Sequence, residues 1–585
     1  LIIVYRLLFL FVAEERNLLL AEDIPEEKRK IYYNYYSSTR IRNLALYKYG
    51  THHPDLWIQL KLVFNYLYSG NEVLGLPALG SFLFNPDSTV DLNNCDLSNK
   101  DLLSIFRNFC YTTKNTVMEM VSFRNMGSEE LGSVYESFLE MHPEINSDAP
   151  SFNLDIVIGS ERKTTGSFYT PPSLVNSLLD TALNPVMDKT LSSNKDNPEE
   201  ALLSLKICDP ACGSGHFLIA AALRLAKRLA IVRTREEEPS PEKVRIALRD
   251  VIGNCIYGVD INPLAVELCK ISLWMESLQP GKTLNFLDHH IQCGNSILGC
   301  TAEELKWGLP DEAFTPLSGD DTQYCTYLKK QNKEEREARI IEFIYLNQIM
   351  FEPISDFANQ FMEVDKIEDD NLNGQLKKEE FYKSLKESQE YKHIELIFNA
   401  WCAAFAWKKV KDENLPPLTN SVFEAIIKYP PENINPAIVE EINRLAKEYK
   451  FFHWHLAFPD VFEKDSKNLT FNFYQLIQDA QNNKENGIKG NITEFLIDNE
   501  DNKNLRSGFD CVLENPPWEH NELKEQEWFA KRDLIIAQAE GEKRKKLVQS
   551  LKYNNQTLYD EYINALRYYQ TTNLMFNNSS GLYPL

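Results

Sequence analysis

Apolar positions in the first 160 residues recur at the three- and four-residue spacing of amphipathic helices. The segments LWIQLKLVFNYLYSG and LGSVYESFLEMH have this spacing, and turns such as NPDS separate them. The pattern predicts a mainly helical domain over residues 1–160. The opening run LIIVYRLLFLFVA is about 13 residues long, which is too short to span a bilayer. Because EERNLLL, which follows it, offers no signal-peptide cleavage site, we expect a buried helix there.

From Leu205 the pattern changes to short apolar runs that end in glycine or acidic turns and lead into helices. LKICD precedes GHFLIAAALRLAKRLA, and CIYGVD precedes PLAVELCKISLWMESL. This alternation predicts an α/β fold, in which helices wrap a parallel sheet. A later apolar run, FDCVLE, predicts a further buried strand.

Two polar tracts interrupt the sheet pattern. Residues 301–450 are charged and helix-rich, as in KKQNKEEREARIIEFIYL, and predict a helical insertion. Residues 464–507 are rich in Asn, Asp, Lys and Gln and predict an extended surface excursion. The predicted organisation is therefore a helical domain at 1–160, a first part of the sheet domain at 161–300, the insertion at 301–450 and a second part of the sheet domain at 451–585.

Charge and cysteine content narrow the class of protein. The 585 residues include 62 Lys and Arg against 85 Asp and Glu, so the net charge is −23. Any contact with nucleic acid must therefore use a local basic surface. The 11 Cys lack the paired spacing of a zinc site, so we expect reduced thiols, a cytoplasmic protein and no metal. The first residue is not Met and the chain stops at SSGLYPL, from which we expect a longer polypeptide.

Glycine and acidic residues at two strand ends suggest a nucleoside-type cofactor. In KICDPACGSGHF, Gly213 and Gly215 lie in the turn between a strand and a helix, where a ligand can approach the backbone closely. The next strand ends at Asp260, whose carboxylate can accept both hydroxyls of a ribose. The dinucleotide pattern needs a third glycine where this chain has Leu218, which disfavours a nicotinamide cofactor.

The third signal is LENPPWE, directly after the apolar run FDCVL. It contains Asn515, Pro516, Pro517 and Trp518. A chance match to such an Asn-Pro-Pro-aromatic pattern in this chain has a probability on the order of 2%. We therefore expect a functional loop at this strand end.

In chain order, GSFYTP, DPACGSGHF, GVDINPLAVELCKISLW, DHHIQCGNSILG and ENPPW resemble the motifs of gamma-class amino-methyltransferases that act on adenine in DNA. The framing segments EELGSVYESFLE, FHWHLAFPDVF and ELKEQEWFAKRD resemble the large single-chain enzymes of type IIG restriction-modification and of BREX or DISARM phage defence. The resemblance implies a Rossmann-like methyltransferase sheet, S-adenosylmethionine as cofactor, double-stranded DNA as partner and, in a defence system, other subunits.

The resemblance also assigns roles to individual residues. Asp209 would face the methionine amino group, the GSFYTP motif would close over the methionine end, and Ile261 and Asn295 would line the adenine pocket. The full expected cofactor set is Phe168, Tyr169, Thr170, Pro171, Asp209, Ala211, Gly213, Gly215, Asp260, Ile261 and Asn295.

The catalytic loop would compensate for a poor nucleophile. The adenine amino nitrogen shares its lone pair with the ring, so it attacks a methyl group slowly. The Asn515 side-chain oxygen and the Pro516 carbonyl can accept both amino hydrogens and favour a more nucleophilic nitrogen. Pro517 stiffens the loop, and Trp518 offers a flat face for a base extruded from the duplex.

Several alternatives remain open. Such loops also orient amino groups of RNA or of protein glutamine, and the chain could be a noncatalytic cofactor-binding scaffold. The interval of 220 residues from Asn295 to Asn515 is longer than a compact methyltransferase uses, and no convincing PD…(D/E)xK nuclease pattern occurs.

His289 and His290 have no Cys or carboxylate at metal spacing, so we expect them to have a core or surface role.

Overall fold

The structure is a computed structural model, and it describes residues 2–114, 117–139, 141–146, 151–156, 170–305, 307–338, 356–411, 415–462, 508–516, 521–530 and 532–578. Its internal contacts divide the chain into two compact units. The first unit comprises Leu1–Gln292, Glu363–Lys383 and Phe509–Asn515, and the second comprises Cys293–Met362, Ser384–Gly508 and Pro516–Leu585. The predicted division into four domains stays a prediction.

Helices make up most of the first unit. They are α1 Ile2–Glu15, α2 Glu26–Ile31, α3 Ser38–Tyr47, α4 Asp55–Ser69, α5 Ser81–Phe84, α6 Val90–Asn93, α7 Asn99–Cys110, α8 Ser128–Leu139, α9 Pro172–Ser193, α10 Pro198–Leu203, α11 His216–Thr234, α12 Pro241–Cys255 and α13 Pro263–Ser277.

The remaining helices begin at or beyond residue 302. They are α14 Ala302–Leu305, α15 Thr322–Ala338, α16 Leu372–Glu387, α17 Gln389–Ala406, α18 Asn420–Lys428, α19 Pro436–Tyr449, α20 Trp454–Ala457, α21 Glu525–Ala530, α22 Leu534–Gln538, α23 Gly541–Asn554 and α24 Gln556–Asn578. Within the described ranges, none of the helices combines the length and apolar character needed to cross a bilayer.

The opening apolar run forms α1, and its centre lies in the hydrophobic core of the first unit. Two charged side chains are buried with it, and both have partners. The Arg6 guanidinium donates to the carbonyl oxygens of Leu83 and Asn85, while the Glu14 carboxylate accepts from the hydroxyls of Tyr32 and Ser38. The structure therefore confirms the expected buried helix, and these hydrogen bonds offset the cost of burying its two charges.

Strands form two hairpin-like pairs and one larger sheet. The antiparallel pairs are β1 Tyr111–Lys114 with β2 Val117–Met120, and β3 Met141–Asn146 with β4 Ser151–Ile156. They lie in the region predicted to be mainly helical. The larger sheet has the order β7-β6-β5-β8, in which the strands are β5 Ile207–Asp209, β6 Ile256–Asp260, β7 Ile291–Cys293 and β8 Cys511–Val512.

The central strand β5 pairs in parallel with β6 on one side and with β8 on the other. The expected combination of a parallel sheet with helices is therefore confirmed. Strand β8 is only partly buried, since Cys511 and Leu513 are buried but Val512 is 52% exposed. The predicted excursion at 464–507 lies outside the described residues.

Candidate functional site

The candidate site lies at the carboxyl edge of the parallel sheet. Asp209 is the last residue of β5, Asp260 is the last residue of β6, and Asn515 follows the end of β8 by three residues. Because these strands are adjacent and the pairs on β5 are parallel, the three side chains belong to one edge of the sheet. Ligands of open α/β sheets bind at this edge.

The glycine turn after β5 is tied to the end of β6. The backbone N–H of Gly213 donates to the Asp260 carboxylate at 2.9 Å, and the N–H of Cys212 donates to the Val259 carbonyl at 2.9 Å. The other carboxylate oxygen of Asp260 accepts from the N–H of Asn262 at 2.8 Å. Asp260 therefore holds two loops in place, a task that its predicted role on a ribose did not include.

Both glycines of this turn have positive φ angles, but they meet different surroundings. Gly213 has φ +52°, and a Cβ there would find nothing within 4 Å, which leaves space beside the backbone for a ligand. Gly215 has φ +82°, and a Cβ there would lie 2.8 Å from the Cys269 Sγ atom on α13. Close packing of α11 against α13 therefore needs glycine at position 215.

Asp209 is 1% exposed and accepts a hydrogen bond from the backbone N–H of Ala211 at 2.9 Å. Burial raises the pKa of Asp209 to about 8; the Ala211 N–H opposes this shift, and the carboxylates of Asp260 and Glu514 add to it. A buried carboxyl group among other carboxylates favours a cationic partner. The ammonium group of a methionine moiety would be such a partner.

This pKa predicts that cofactor binding depends on pH. An ammonium group favours the ionised form of Asp209, so below pH 8 the carboxyl proton must leave when the cofactor binds. We expect the affinity for S-adenosylmethionine to rise by up to about tenfold per pH unit between pH 6 and pH 8. Calorimetry in two buffers with different ionisation enthalpies would measure the released proton. Asp209→Asn should remove this dependence, and an unchanged pH profile in that variant would contradict the assignment.

The predicted catalytic loop contacts the segment that precedes α9. The Asn515 Nδ2 atom donates to the Thr170 Oγ1 atom at 2.8 Å, although the two residues are 345 positions apart. Thr170 stays outside the helix because Pro171 and Pro172 follow it, and a residue before proline disfavours helical angles. The Arg224 guanidinium on α11 donates to Asp180 and Asn184 and so fixes α9 against the sheet helices.

The hydrogen bond to Thr170 fixes the orientation of the Asn515 amide, because the planar amide turns its oxygen away when its nitrogen faces Thr170. Thr170→Val removes the hydroxyl and keeps the shape of the side chain. We expect turnover to fall about tenfold, since an amide oxygen that acts as an acceptor would lose its orientation. Thr170→Ser should keep turnover near that of the unchanged chain. A loss in Thr170→Val that appears only in cofactor affinity would contradict this role.

The other predicted site residues divide into three groups. Ala211 and Pro171 lie beside Asp209 and Thr170, and the Ile261 side chain is 42% exposed directly after Asp260. Asn295 belongs to the second unit, as does Pro516; the Asn295 Oδ1 atom accepts from the Ile297 N–H at 3.4 Å. Outside the described residues lie Gly166, Ser167, Phe168, Tyr169, Pro517 and Trp518.

His289 and His290 are both buried in the first unit, so the structure places them in the core rather than on the surface. The structure also brings a carboxylate to them, because the His289 Nε2 atom lies 2.7 Å from the Asp365 Oδ1 atom. Sequence reasoning missed this partner, since 76 residues separate the two positions. It also missed a second group of possible metal ligands, Cys300, Cys402 and His453.

The geometry defines a class of protein: an α/β protein whose parallel sheet carries a buried carboxyl group, a glycine turn and an Asn-Pro loop on one edge. The model of the Eco57I restriction-modification methylase family matches residues 254–564, which is just over half of the chain. The chain therefore belongs to the Eco57I restriction-modification methylase family, which confirms the resemblance seen in the motifs. The model described as the DNA-methyltransferase domain of MmeI matches residues 188–295.

Three curated relatives carry similar sequence over short regions. A putative type II restriction enzyme and methyltransferase of Methanocaldococcus jannaschii is 26% identical over 40% of this chain and 22% of its own length. The adenine-specific methyltransferase PglX of Streptomyces coelicolor is 32% identical over 20% of this chain and 8% of its own. The type II restriction enzyme and methyltransferase RM.Eco57I of Escherichia coli is 25% identical over 30% of this chain and 18% of its own.

These matches span less than a quarter of the relatives' own lengths. A solved structure of the type IIL restriction-modification enzyme MmeI in complex with DNA aligns with 51% of this chain and 37% of that chain. The sequence identity of this alignment is 16% and its TM-score is 0.33.

Proposed function

We propose that this chain transfers a methyl group from S-adenosylmethionine to the exocyclic amino nitrogen of an extruded adenine in double-stranded DNA. The observation that carries the proposal is the placement of Asn515 three residues after β8, the strand that pairs with β5, which ends in Asp209. This places a candidate amide acceptor for an adenine amino group on the same sheet edge as a candidate site for a methionine ammonium group. The family membership supports a role in restriction-modification or phage defence.

The described residues fit the cofactor. Asp209 is buried and would hold the ammonium group, Asp260 offers carboxylate oxygens to the ribose hydroxyls, and the space beside Gly213 accepts the sugar. The cofactor would supply the methyl group, while the chain orients the two reactants. We propose that the sheet is a Rossmann-like methyltransferase sheet, and that Phe168, Tyr169, Ile261 and Asn295 complete the cofactor pocket.

The chain itself would activate the adenine. The Asn515 side-chain oxygen and the Pro516 carbonyl would accept the two amino hydrogens, Pro517 would stiffen the loop, and Trp518 would stack on the base. Proper orientation of these acceptors lowers the barrier because the nitrogen lone pair becomes more available for attack. We propose a cytoplasmic location, because 11 Cys without the paired spacing of a zinc site are typical of the reduced thiols of a cytoplasmic protein.

Tritiated methyl transfer tests the proposal directly. The full chain is incubated with labelled S-adenosylmethionine and, in separate reactions, with unmethylated duplex DNA, RNA and protein. We expect label in DNA, recovered as N6-methyladenine after digestion to nucleosides. Label in RNA or in protein glutamine would favour those alternatives, and cofactor binding without transfer to any substrate would favour a scaffold.

DNA contact on an acidic chain needs a local basic surface, and α23 provides one. This helix carries Lys543, Arg544, Lys545, Lys546 and Lys552 against one acidic residue, Glu542. The Lys543 and Lys546 side chains are exposed. We propose that α23 contacts DNA phosphates, because phosphate attraction dominates binding by clustered lysines.

The double substitution Lys543→Glu with Lys546→Glu tests the role of α23. We expect DNA affinity to fall about tenfold, and the slope of log affinity against log salt to decrease by about two. The matched control is Lys329→Glu with Lys330→Glu on α15, which are also exposed. Fluorescence anisotropy at two salt concentrations would measure both variants. Equal losses in the two variants would indicate an effect of net charge and would contradict a specific role for α23.

A further inference from the structure

Three possible metal ligands meet in the interior of the second unit. Cys300 follows the GNSIL turn, Cys402 lies in α17, and His453 directly precedes α20. Their ligand atoms lie within 4.8 Å of one another. The three residues are 2%, 0% and 5% exposed, respectively. A buried group of two thiols and an imidazole is a donor set that thiophilic cations prefer.

The hydrogen bonds of His453 leave Nδ1, the ring nitrogen that faces Cys300, as the atom with a lone pair for a metal. The Nε2 atom lies 3.0 Å from the Asn399 Oδ1 atom, which can only accept, so Nε2 carries the proton. The Nδ1 atom is then a lone-pair donor, and it accepts a long hydrogen bond of 3.3 Å from the Cys300 N–H. Metal-binding imidazoles are commonly held in place by such a bond to their second nitrogen.

The spacing between Cys300 and His453 also fits zinc. The Cys300 Sγ atom lies 3.8 Å from the His453 Nδ1 atom. Zinc–sulfur bonds of about 2.3 Å and zinc–nitrogen bonds of about 2.0 Å place these atoms roughly 3.5 Å apart in tetrahedral geometry and roughly 3.7 Å apart in trigonal geometry. A zinc ion fits between them with shifts of a few tenths of an ångström, and it would replace the long hydrogen bond from the Cys300 N–H.

Charge balance favours this group over the cluster of His289, His290 and Asp365. Zn²⁺ with two thiolates is neutral overall, as a buried site requires. A bound metal deprotonates coordinating thiols outright. In the histidine cluster, burial and the His289 ring lower the pKa of His290 most and Asp365 opposes them, while Lys206 and Lys378 lower it further and would repel a cation.

We propose that Cys300, Cys402 and His453 bind one Zn²⁺ ion as three protein ligands. The two thiols lose their protons to solvent as one Zn²⁺ binds, so no oxidant or reductant takes part. The ion joins α17 to two segments that already pair with each other, since the Phe452 N–H donates to the Leu298 carbonyl at 2.8 Å. This proposal does not depend on the proposed function.

Metal analysis of the full chain tests the proposal. The protein is purified under reducing conditions, stripped with a chelator, and loaded with zinc or cobalt. We expect about one zinc per chain and, with cobalt, a near-ultraviolet thiolate-to-metal absorption band. Cys402→Ala should weaken zinc binding by about a hundredfold or more and remove the band. Cys325→Ala is the matched control, because Cys325 is also buried on a helix of the second unit and should leave both signals unchanged.

Four results would overturn the proposal: no zinc in the loaded chain, no thiolate band with cobalt, unchanged zinc binding in Cys402→Ala, or a Cys300–Cys402 disulfide that persists when the protein is purified under reducing conditions. Loss of zinc in His290→Ala with retention in Cys402→Ala would assign the ion to the histidine cluster and would also overturn it. If Cys402→Ala lacks the cooperative unfolding transition of a folded protein, His453→Gln is used in its place. The cobalt spectrum of the unchanged chain tests the proposal without any variant.

Discussion

Substitution of Asn515 by Ala is expected to lower methyl transfer by about a hundredfold or more while S-adenosylmethionine still binds. The side chain supplies one of two proposed acceptors for the adenine amino group, and the loss of one preorganised polar partner at a reacting centre has effects of this size. Asn515 is exposed at the sheet edge, and its amide donates to the Thr170 hydroxyl. Little stability should therefore be lost with it.

Single-turnover methylation beside calorimetry would separate chemistry from cofactor binding. The matched control is Asn521→Ala, because Asn521 is also exposed and its Nδ2 atom donates to a side-chain oxygen, that of Asn573, at 3.0 Å. This control should keep full turnover. If cofactor affinity in Asn515→Ala fell in proportion to activity, Asn515 would belong to the cofactor pocket and the proposed role would be wrong.

Asp260→Ala is expected to weaken cofactor binding by roughly thirty- to more than a hundredfold. Loss of a charge-assisted pair of hydrogen bonds to the ribose costs on the order of 2 to 3 kcal/mol. The variant also loses the acceptor of the Gly213 N–H, so the glycine turn should become less ordered and the effect should lie at the upper end of this range. Titration with S-adenosylhomocysteine measures the change without any chemical step.

The control for Asp260 is Asp188→Ala on α9, which removes an exposed carboxylate that pairs with Arg228 at 2.8 Å. A surface ion pair of this kind contributes little, so binding should be unchanged. Undiminished affinity for S-adenosylhomocysteine in Asp260→Ala would show that the ribose is held elsewhere.

Local signals in the sequence predicted the central part of the sheet. Strands β5 and β6 were predictable because each apolar run ends at a glycine or acidic turn that directly precedes a helix. The opening helix was predictable because its apolar run is too short to span a membrane and no signal-peptide cleavage site follows it, which leaves burial in the protein as the expectation. Strand β8 was predicted to be buried, but Val512, one of its two residues, is exposed. The apolar character of Val512 is the same whether or not another element covers it, so the sequence pattern could not show this. Burial of a strand depends on its neighbours in space.

Contacts between distant segments could not be predicted in this way. The Asn515–Thr170 hydrogen bond joins two recognised motifs, yet no local pattern states that their side chains meet. The carboxylate beside His289 and the ligands Cys300, Cys402 and His453 come from separate segments without the short spacing of sequence-recognisable metal sites. Sequence reasoning therefore found the residues of the candidate site but not the partners that orient them.

The position of β8 has a consequence for the synthesis of the protein on the ribosome. Strand β5 pairs through Ile207 and Cys208 with Cys511 and Val512, which are translated about 300 residues later. Pairing at such long sequence separation forms slowly, because the intervening chain must be brought together first. At roughly 5 to 20 residues per second, β5 waits about 15 to 60 seconds for its partner to be made. During that interval the nascent chain holds its predicted cofactor residues without Asn515, so the proposed function implies that its cofactor site is made before its catalytic loop.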